Sequence, residues 1–284
     1  MTDIVSRPIH WYPGHMAKAM RQMKEKLNLV DVVIEVLDAR CPNASINPSI
    51  KEAIKDKPLL LILNKIDLAD EKITKAWIKE LSKSYMVLVT DSLNGTKNIE
   101  LISNALDILL KDKIKNAKEK GMNIYPLKAM VVGIPNSGKS TFMNNLAKRK
   151  VLEVGNKPGV TKNQQYLKAS DKLLLLDNPG VLWPKLENQT QAKILALSGS
   201  IKDEILDIDS IVRFGLDILK ENYPELLKGR YKLDSLDGDL VDIIARKRGC
   251  ILKGNEIDYP KAYDIILRDI RSGKIGRISF ERPN

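Results

Sequence analysis

The chain has 284 residues, 43% of them hydrophobic, a composition that fits a globular protein and excludes a disorder-dominated one. The net charge is +11, and the excess lies in residues 1–186, with 30 basic against 19 acidic groups, while residues 187–284 carry 17 of each. The opening MTDIVSRPIHWYPGHMAKAM has no apolar leader core, no apolar run reaches the length of a membrane span, and two cysteines with two histidines cannot assemble a zinc site. These features lead to the expectation of a soluble, cytoplasmic protein in which Cys41 and Cys250 are buried thiols.

In chain order, MAKAMRQMKEKL reads as a basic helix, and VDVVIEVLDA (30–39) follows as the first apolar, β-branched run of strand length. Similar runs recur at PLLLILNK (58–65), YMVLVT (85–90), LKAMVVGI (127–134) and KLLLLD (172–177), with amphipathic helical patterns at 73–83 and 99–114. Continuous apolar strands alternating with helices predict an α/β fold: a mostly parallel sheet with helices on both faces. The polar stretch 111–126 reads as a connector. Beyond about residue 186 the strand signals stop, and 209–224 and 259–273 read as helices. The expected division is an α/β domain at 1–186 followed by a smaller α-helical domain at 187–284.

GIPNSGKS (133–140) fits the phosphate-loop pattern G-x-x-x-x-G-K-[ST], after a predicted strand and at the start of a predicted helix. Gly133 and Gly138 let backbone amides turn toward phosphates, Lys139 supplies a cation to the β and γ oxygens, and the Ser140 hydroxyl suits Mg²⁺. Asn136, Ser137 and Thr141 complete the set expected around the nucleotide.

NKID (64–67) ends the second strand. Alone it also fits an ordinary strand-to-loop turn with a helix cap; beside a phosphate loop it reads as a guanine-recognition motif. The Asp67 carboxylate accepts from N1–H and the 2-amino group of guanine, whereas adenine offers neither donor. Asn64 braces the loop and the base edge, and the stem of Lys65 covers the ring. DNPG (177–180) closes the strand KLLLLD, where Asp177 would hold Mg²⁺ and the Gly180 amide would sense the γ-phosphate. Thr161 in KPGVT offers a hydroxyl to both, and TDSLNG offers a backbone amide near Ser92 and Leu93 to guanine O6.

The order NKID, TDS, GIPNSGKS, Thr161, DNPG, with WYPGHMAKA and DNPGVLWPK, resembles that of the circularly permuted GTPases. The resemblance implies a P-loop GTPase domain with permuted motif order, GTP and GDP as ligands, Mg²⁺, and K⁺ held by Asn136, which otherwise merely fits its turn. Val181 follows Gly180 where other GTPases place a water-orienting Gln. The resemblance points instead to His15 as the catalytic residue acting with Lys139, Thr161 and Gly180; without it, His15 reads as a cap on the first helix. It further implies a monomeric assembly factor, slow until stimulated, whose partner is the large ribosomal subunit or its precursor, with its rRNA and ribosomal proteins. The basic groups of 246–249 and 268–277, with Tyr259, Tyr263 and Phe280, would contact RNA, or else be a solvated face over core aromatics. The alternative function is a non-ribosomal GTP-dependent regulator acting through a protein effector.

Permutation has a physical rationale of its own. Joining the usual ends leaves strand neighbours unchanged, and the new cut falls just after DNPG, so the nucleotide-sensing segment runs directly into residues 187–284.

Overall fold

A computed structural model of the chain describes residues 14–90, 95–122, 124–147, 151–154, 164–183 and 188–283. Seven strands form one sheet: β1 (Val32–Asp38), β2 (Leu59–Asn64), β3 (Met86–Val89), β4 (Leu127–Gly133), β5 (Val151–Val154), β6 (Gln164–Ser170) and β7 (Leu173–Asp177), in the order β3-β2-β1-β4-β7-β6-β5. The β3-β2-β1-β4-β7 block is parallel throughout, and β6 is antiparallel to both β7 and β5. The five strands expected from the sequence form that parallel block. The β5–β6 hairpin at the sheet edge escaped the reading because QQYLKAS carries Gln and Lys where a doubly covered strand has apolar residues.

Alternate residues of the central strands face opposite layers. Val32, Ile34, Val36, Ala129, Val131 and Leu175 pack against α5 (Gly95–Leu109) and α7 (Lys139–Leu146). On the other face, Val33, Met130, Val132 and Leu174 meet α1 (Gly14–Lys26) and α3 (Pro48–Ile54), while Leu37, Leu61 and Leu63 meet α4 (Glu71–Leu81). Between β1 and α3 lies the short helix α2 (Pro42–Ser45). The expected connector contains a helix, α6 (Lys111–Glu119), which buries Ile114; its Lys, Ala and Glu are good helix formers, so polarity there marks a solvated face rather than irregular chain.

Residues 188–283 contribute α8 (Gln189–Leu197), α9 (Ile208–Asn222), α10 (Pro224–Tyr231), α11 (Leu240–Lys247) and α12 (Tyr259–Arg271). Many of their polar residues serve as caps: the side chains of Asn188, Asp207, Asp239 and Asp258 accept from first-turn amides of α8, α9, α11 and α12. Their apolar faces form one core that also takes in Cys41, Ala44, Ile134, Leu182 and Trp183, so the helices and the ends of the sheet strands share buried surface.

After α12 the chain returns to the C-terminal ends of the parallel strands. Phe280 N donates to Arg40 O at 2.7 Å, and Ile278 N donates to Leu68 O at 2.9 Å. Phe280 is a core residue lying under the Arg40 guanidinium, 5.3 Å from the ring centroid, so it is not an RNA-stacking platform. Tyr259 and Tyr263 sit 5.9 Å apart and donate to Asp242 and Asp209. Cys41 and Cys250 are free and buried.

Candidate active site

The motifs converge because parallel strands end on one edge. Asp38 ends β1, Asn64 ends β2, Gly133 ends β4 and Asp177 ends β7, and the loops leaving these ends face one another. Asn64 is buried and its Nδ2 donates to Ser137 O at 3.0 Å, so the NKID turn braces the phosphate loop. Gly138 sits at φ 86°, where a Cβ would collide with Asn64 Nδ2; the loop therefore passes over Asn64 only with glycine there.

Lys65, at φ 61°, turns its ammonium inward, to Asp38 Oδ2 at 2.9 Å and to Asn136 O. Asp38 also receives the Arg40 guanidinium, Nε at 3.0 Å and Nη2 at 2.8 Å, in a pair buried to about 1% exposure. Burial alone would push the Asp38 carboxyl up; the Arg40 and Lys65 charges outweigh it and hold the group well below the usual carboxylate range. Asp67, next along the turn, is exposed and available to a ligand.

On the phosphate side, Lys139 is buried and its ammonium contacts the Asp177 carboxylate, so the site's cation and the acid expected at Mg²⁺ lie together. Ser140 and Thr141 are exposed in the first turn of α7. These hard oxygen donors beside a glycine-shaped anion cradle fit Mg²⁺ with a nucleoside triphosphate. Gly180 packs on the phosphate loop: a Cβ there would lie 3.0 Å from both N and Cα of Pro135. Val181 is fully buried, its N donating to Gly133 O at 3.1 Å, so its side chain belongs to the core and does not reach a reacting water.

Asn136 is exposed at φ 57°, and its Nδ2 donates to Gly199 O at 2.6 Å, across to the loop after α8. A cleft of about 640 Å³ opens there, lined by Arg40, Lys65, Asn136, Gly180, Lys202 and Arg271 among others. His15 is the second residue of α1, but its side chain lies outside the described residues, as do Ser92, Leu93 and Thr161 altogether. The sequence reading missed Asp38 and Arg40, although an acid at the end of a largely apolar strand with an arginine two residues later was a visible signal. Arg271 and Arg277 belong to the basic stretch expected either to contact RNA or to form a solvated face, and both make contacts within the chain. Arg271 binds Asp203 and the α8 carbonyls of Ala196 and Leu197, and Arg277 binds the carbonyls of Ile66 and Ala69.

The family model described as a 50S ribosome-binding GTPase matches residues 128–247. A ribosome biogenesis GTPase A of Bacillus licheniformis is 46% identical over 97% of this chain and 98% of its own length. The protein of that name from Thermotoga maritima is 32% identical, with 96% and 94% covered. The chain belongs to the ribosome biogenesis GTPase A family. The solved GNP-bound structure of YlqF from T. maritima superposes with a TM-score of 0.66 at 29% identity, covering 94% of this chain and 99% of that one, and the GDP-bound form gives 0.67 at 28%, covering 93% and 99%. As a member of the ribosome biogenesis GTPase A family, the chain is a P-loop GTPase of ribosome biogenesis, and the non-ribosomal regulator is not favoured. Among the described residues, no helix is long and apolar enough to cross a membrane.

Proposed function

We propose that this GTPase couples its nucleotide state to binding and release of the large ribosomal subunit or its precursor. The observation that carries the reading is the path of the chain after Gly180. Val181 is pinned to the end of β4, and Leu182 and Trp183 enter the same buried core as α8–α12. A γ-phosphate that fixes Gly180 therefore biases the orientation of residues 187–284, the α-helical domain proposed to dock on rRNA and ribosomal proteins beside the GTPase domain of residues 1–186.

In this reading Lys139 grips the β and γ oxygens, Gly133, Ser137, Gly138 and Thr141 shape the phosphate cradle, and Asp67 reads guanine with Ser92 and Leu93 at O6. Ser140, Thr161 and Asp177 hold Mg²⁺, which when bound supplies charge neutralisation at the phosphates. Asn136, whose Nδ2 donates to Gly199 O, would offer its Oδ1 to K⁺, and His15 aids the attacking water in place of the buried Val181. The protein acts as a cytoplasmic monomer.

The test is pelleting of the full chain with purified large subunits at fixed salt, with a non-hydrolysable GTP analogue or with GDP. Tighter association in the GTP state supports the proposal; equal association shows that the switch does not address the subunit.

A further inference from the structure

We propose that Arg277 is a specificity-determining positioning residue for the guanine base, acting by fixing the turn that carries Asp67. This rests on the assignment of Asp67 to the base.

The turn leaves β2 at Lys65 and closes when Leu68 N donates to Lys65 O at 3.0 Å. That bond leaves the carbonyls of Ile66, Leu68 and Ala69 to find partners elsewhere, and all three find them in the same place. Arg277 Nη2 donates to Ile66 O at 3.0 Å, Arg277 Nε donates to Ala69 O at 2.7 Å, and Ile278 N donates to Leu68 O at 2.9 Å. These carbonyls flank Asp67 on both sides, while its own side chain stays exposed. One residue further on, Asp70 N donates to Ser279 Oγ at 3.3 Å and the Asp70 side chain caps α4. The segment 277–279 thus holds the turn through its backbone, leaving the Asp67 side chain exposed.

The chemistry explains why an arginine stands there. A planar guanidinium presents donors in a fixed fork that spans two carbonyls; a lysine ammonium is a point donor on a flexible stem. Bonds from a charged donor are also stronger than neutral ones. Asp67 must meet N1–H and the 2-amino group together, and that double contact depends on the turn's orientation more steeply than a single bond does. A turn already held in place loses less freedom when the base arrives. Arg277 is nearly half exposed, at 48%, so its role is to order the turn rather than to fill the core.

The test is equilibrium binding of GDP and of inosine diphosphate, which lacks only the 2-amino group, to the full-length wild type and to Asp67→Ala, Arg277→Ala and Arg277→Lys. The ratio of the two affinities isolates the second hydrogen bond to Asp67 and cancels effects at the phosphates or on folding. The wild type should prefer GDP by roughly 10- to 150-fold, the worth of one hydrogen bond to a charged acceptor. Asp67→Ala should bring the ratio near unity, and both Arg277 variants should lower it by about 2- to 12-fold, because a turn out of register weakens the second hydrogen bond to Asp67 more than the first, whereas any cost of ordering the turn is common to both nucleotides and cancels. A wild-type ratio in Arg277→Ala, with Asp67→Ala collapsed, overturns the role of Arg277 and leaves Asp67 in place. A wild-type ratio in Asp67→Ala removes the base assignment and the proposal with it. Should Arg277→Ala fail to fold, Arg277→Lys, which keeps the charge but not the fork, decides by the same ratio.

Discussion

Asp67 is exposed on a turn whose neighbouring carbonyls are engaged, so its substitution changes recognition without opening the core. Asp67→Asn is expected to trade guanine for xanthine nucleotides, because the new amide donates to the xanthine 2-oxo group that the carboxylate repels. Competition among GTP, XTP and ATP measures this, and unchanged GTP affinity in the variant would take Asp67 out of the base site. A second pair of substitutions separates grip from chemistry. Lys139→Ala should weaken nucleotide binding and hydrolysis together, since it removes the cation now paired with Asp177. His15→Ala should lower subunit-stimulated hydrolysis by roughly 10²-fold or more while leaving GTP affinity nearly unchanged, the pattern of a group needed only in the transition state. Equal stimulated turnover in wild type and His15→Ala would end the catalytic reading of that residue.

At the scale of the element, β1 carries two buried acids of opposite character. Glu35 is 1% exposed and, among the described residues, accepts only Asn47 N, at 3.0 Å, through one oxygen, while its Oε2 has no partner there. Burial pushes its carboxyl up to about 7, against the lowering effect of the Asn47 amide, so the folded chain holds this proton more tightly than the unfolded one. The resulting stabilisation is complete below about pH 4.5, the unfolded value, and fades as pH rises through about 7. Asp38 has the opposite sign: its depressed pKa stabilises the fold above the unfolded value of 3.8 and ceases to do so as pH falls. Glu35→Gln should therefore gain stability relative to wild type between pH 4.5 and 7, by up to roughly 3 kcal/mol, and remain level above that. Denaturant midpoints across this range measure it, and a difference independent of pH would contradict a protonated Glu35. The sequence made β1 legible as a buried strand because its run is apolar and β-branched apart from Glu35. It did not disclose the partners of Asp38, because Arg40 and Lys65 reach it by different routes, one along the turn after β1 and the other from the neighbouring strand's end.

At the scale of the whole molecule, the convergence of the phosphate loop, NKID and DNPG at one sheet edge was readable because each is a short local pattern at a strand end. The permuted order was readable because strand adjacency is indifferent to where a chain is cut. Contacts between distant segments were not readable. Nothing local marks Arg277 as a partner of Ile66 and Ala69, or Asn136 as a partner of Gly199, and basic residues near a C-terminus read just as well as RNA contacts. The proposed coupling to the large subunit has an expected size. A typical linkage of about 1–3 kcal/mol would give a roughly 5- to 150-fold preference for the GTP state in the pelleting measurement, and reciprocity requires the subunit to tighten GTP binding by the same factor. Removing residues 187–284 would be a poor control for that experiment, because it also strips the donors to Ile66, Leu68 and Ala69 from the base turn.

Those donors carry a consequence for the order of synthesis. In a chain translated from its first residue, NKID emerges early and the phosphate loop near the middle, while the segment that holds the base turn comes after every nucleotide motif. A nascent chain stopped short of residue 277 has its phosphate loop in hand and three carbonyls of its base turn still without their protein donors. Under the proposal for Arg277, full selectivity for the base is then the last property the growing polypeptide acquires, and a product truncated before residue 277 would discriminate among purines less sharply than the full chain.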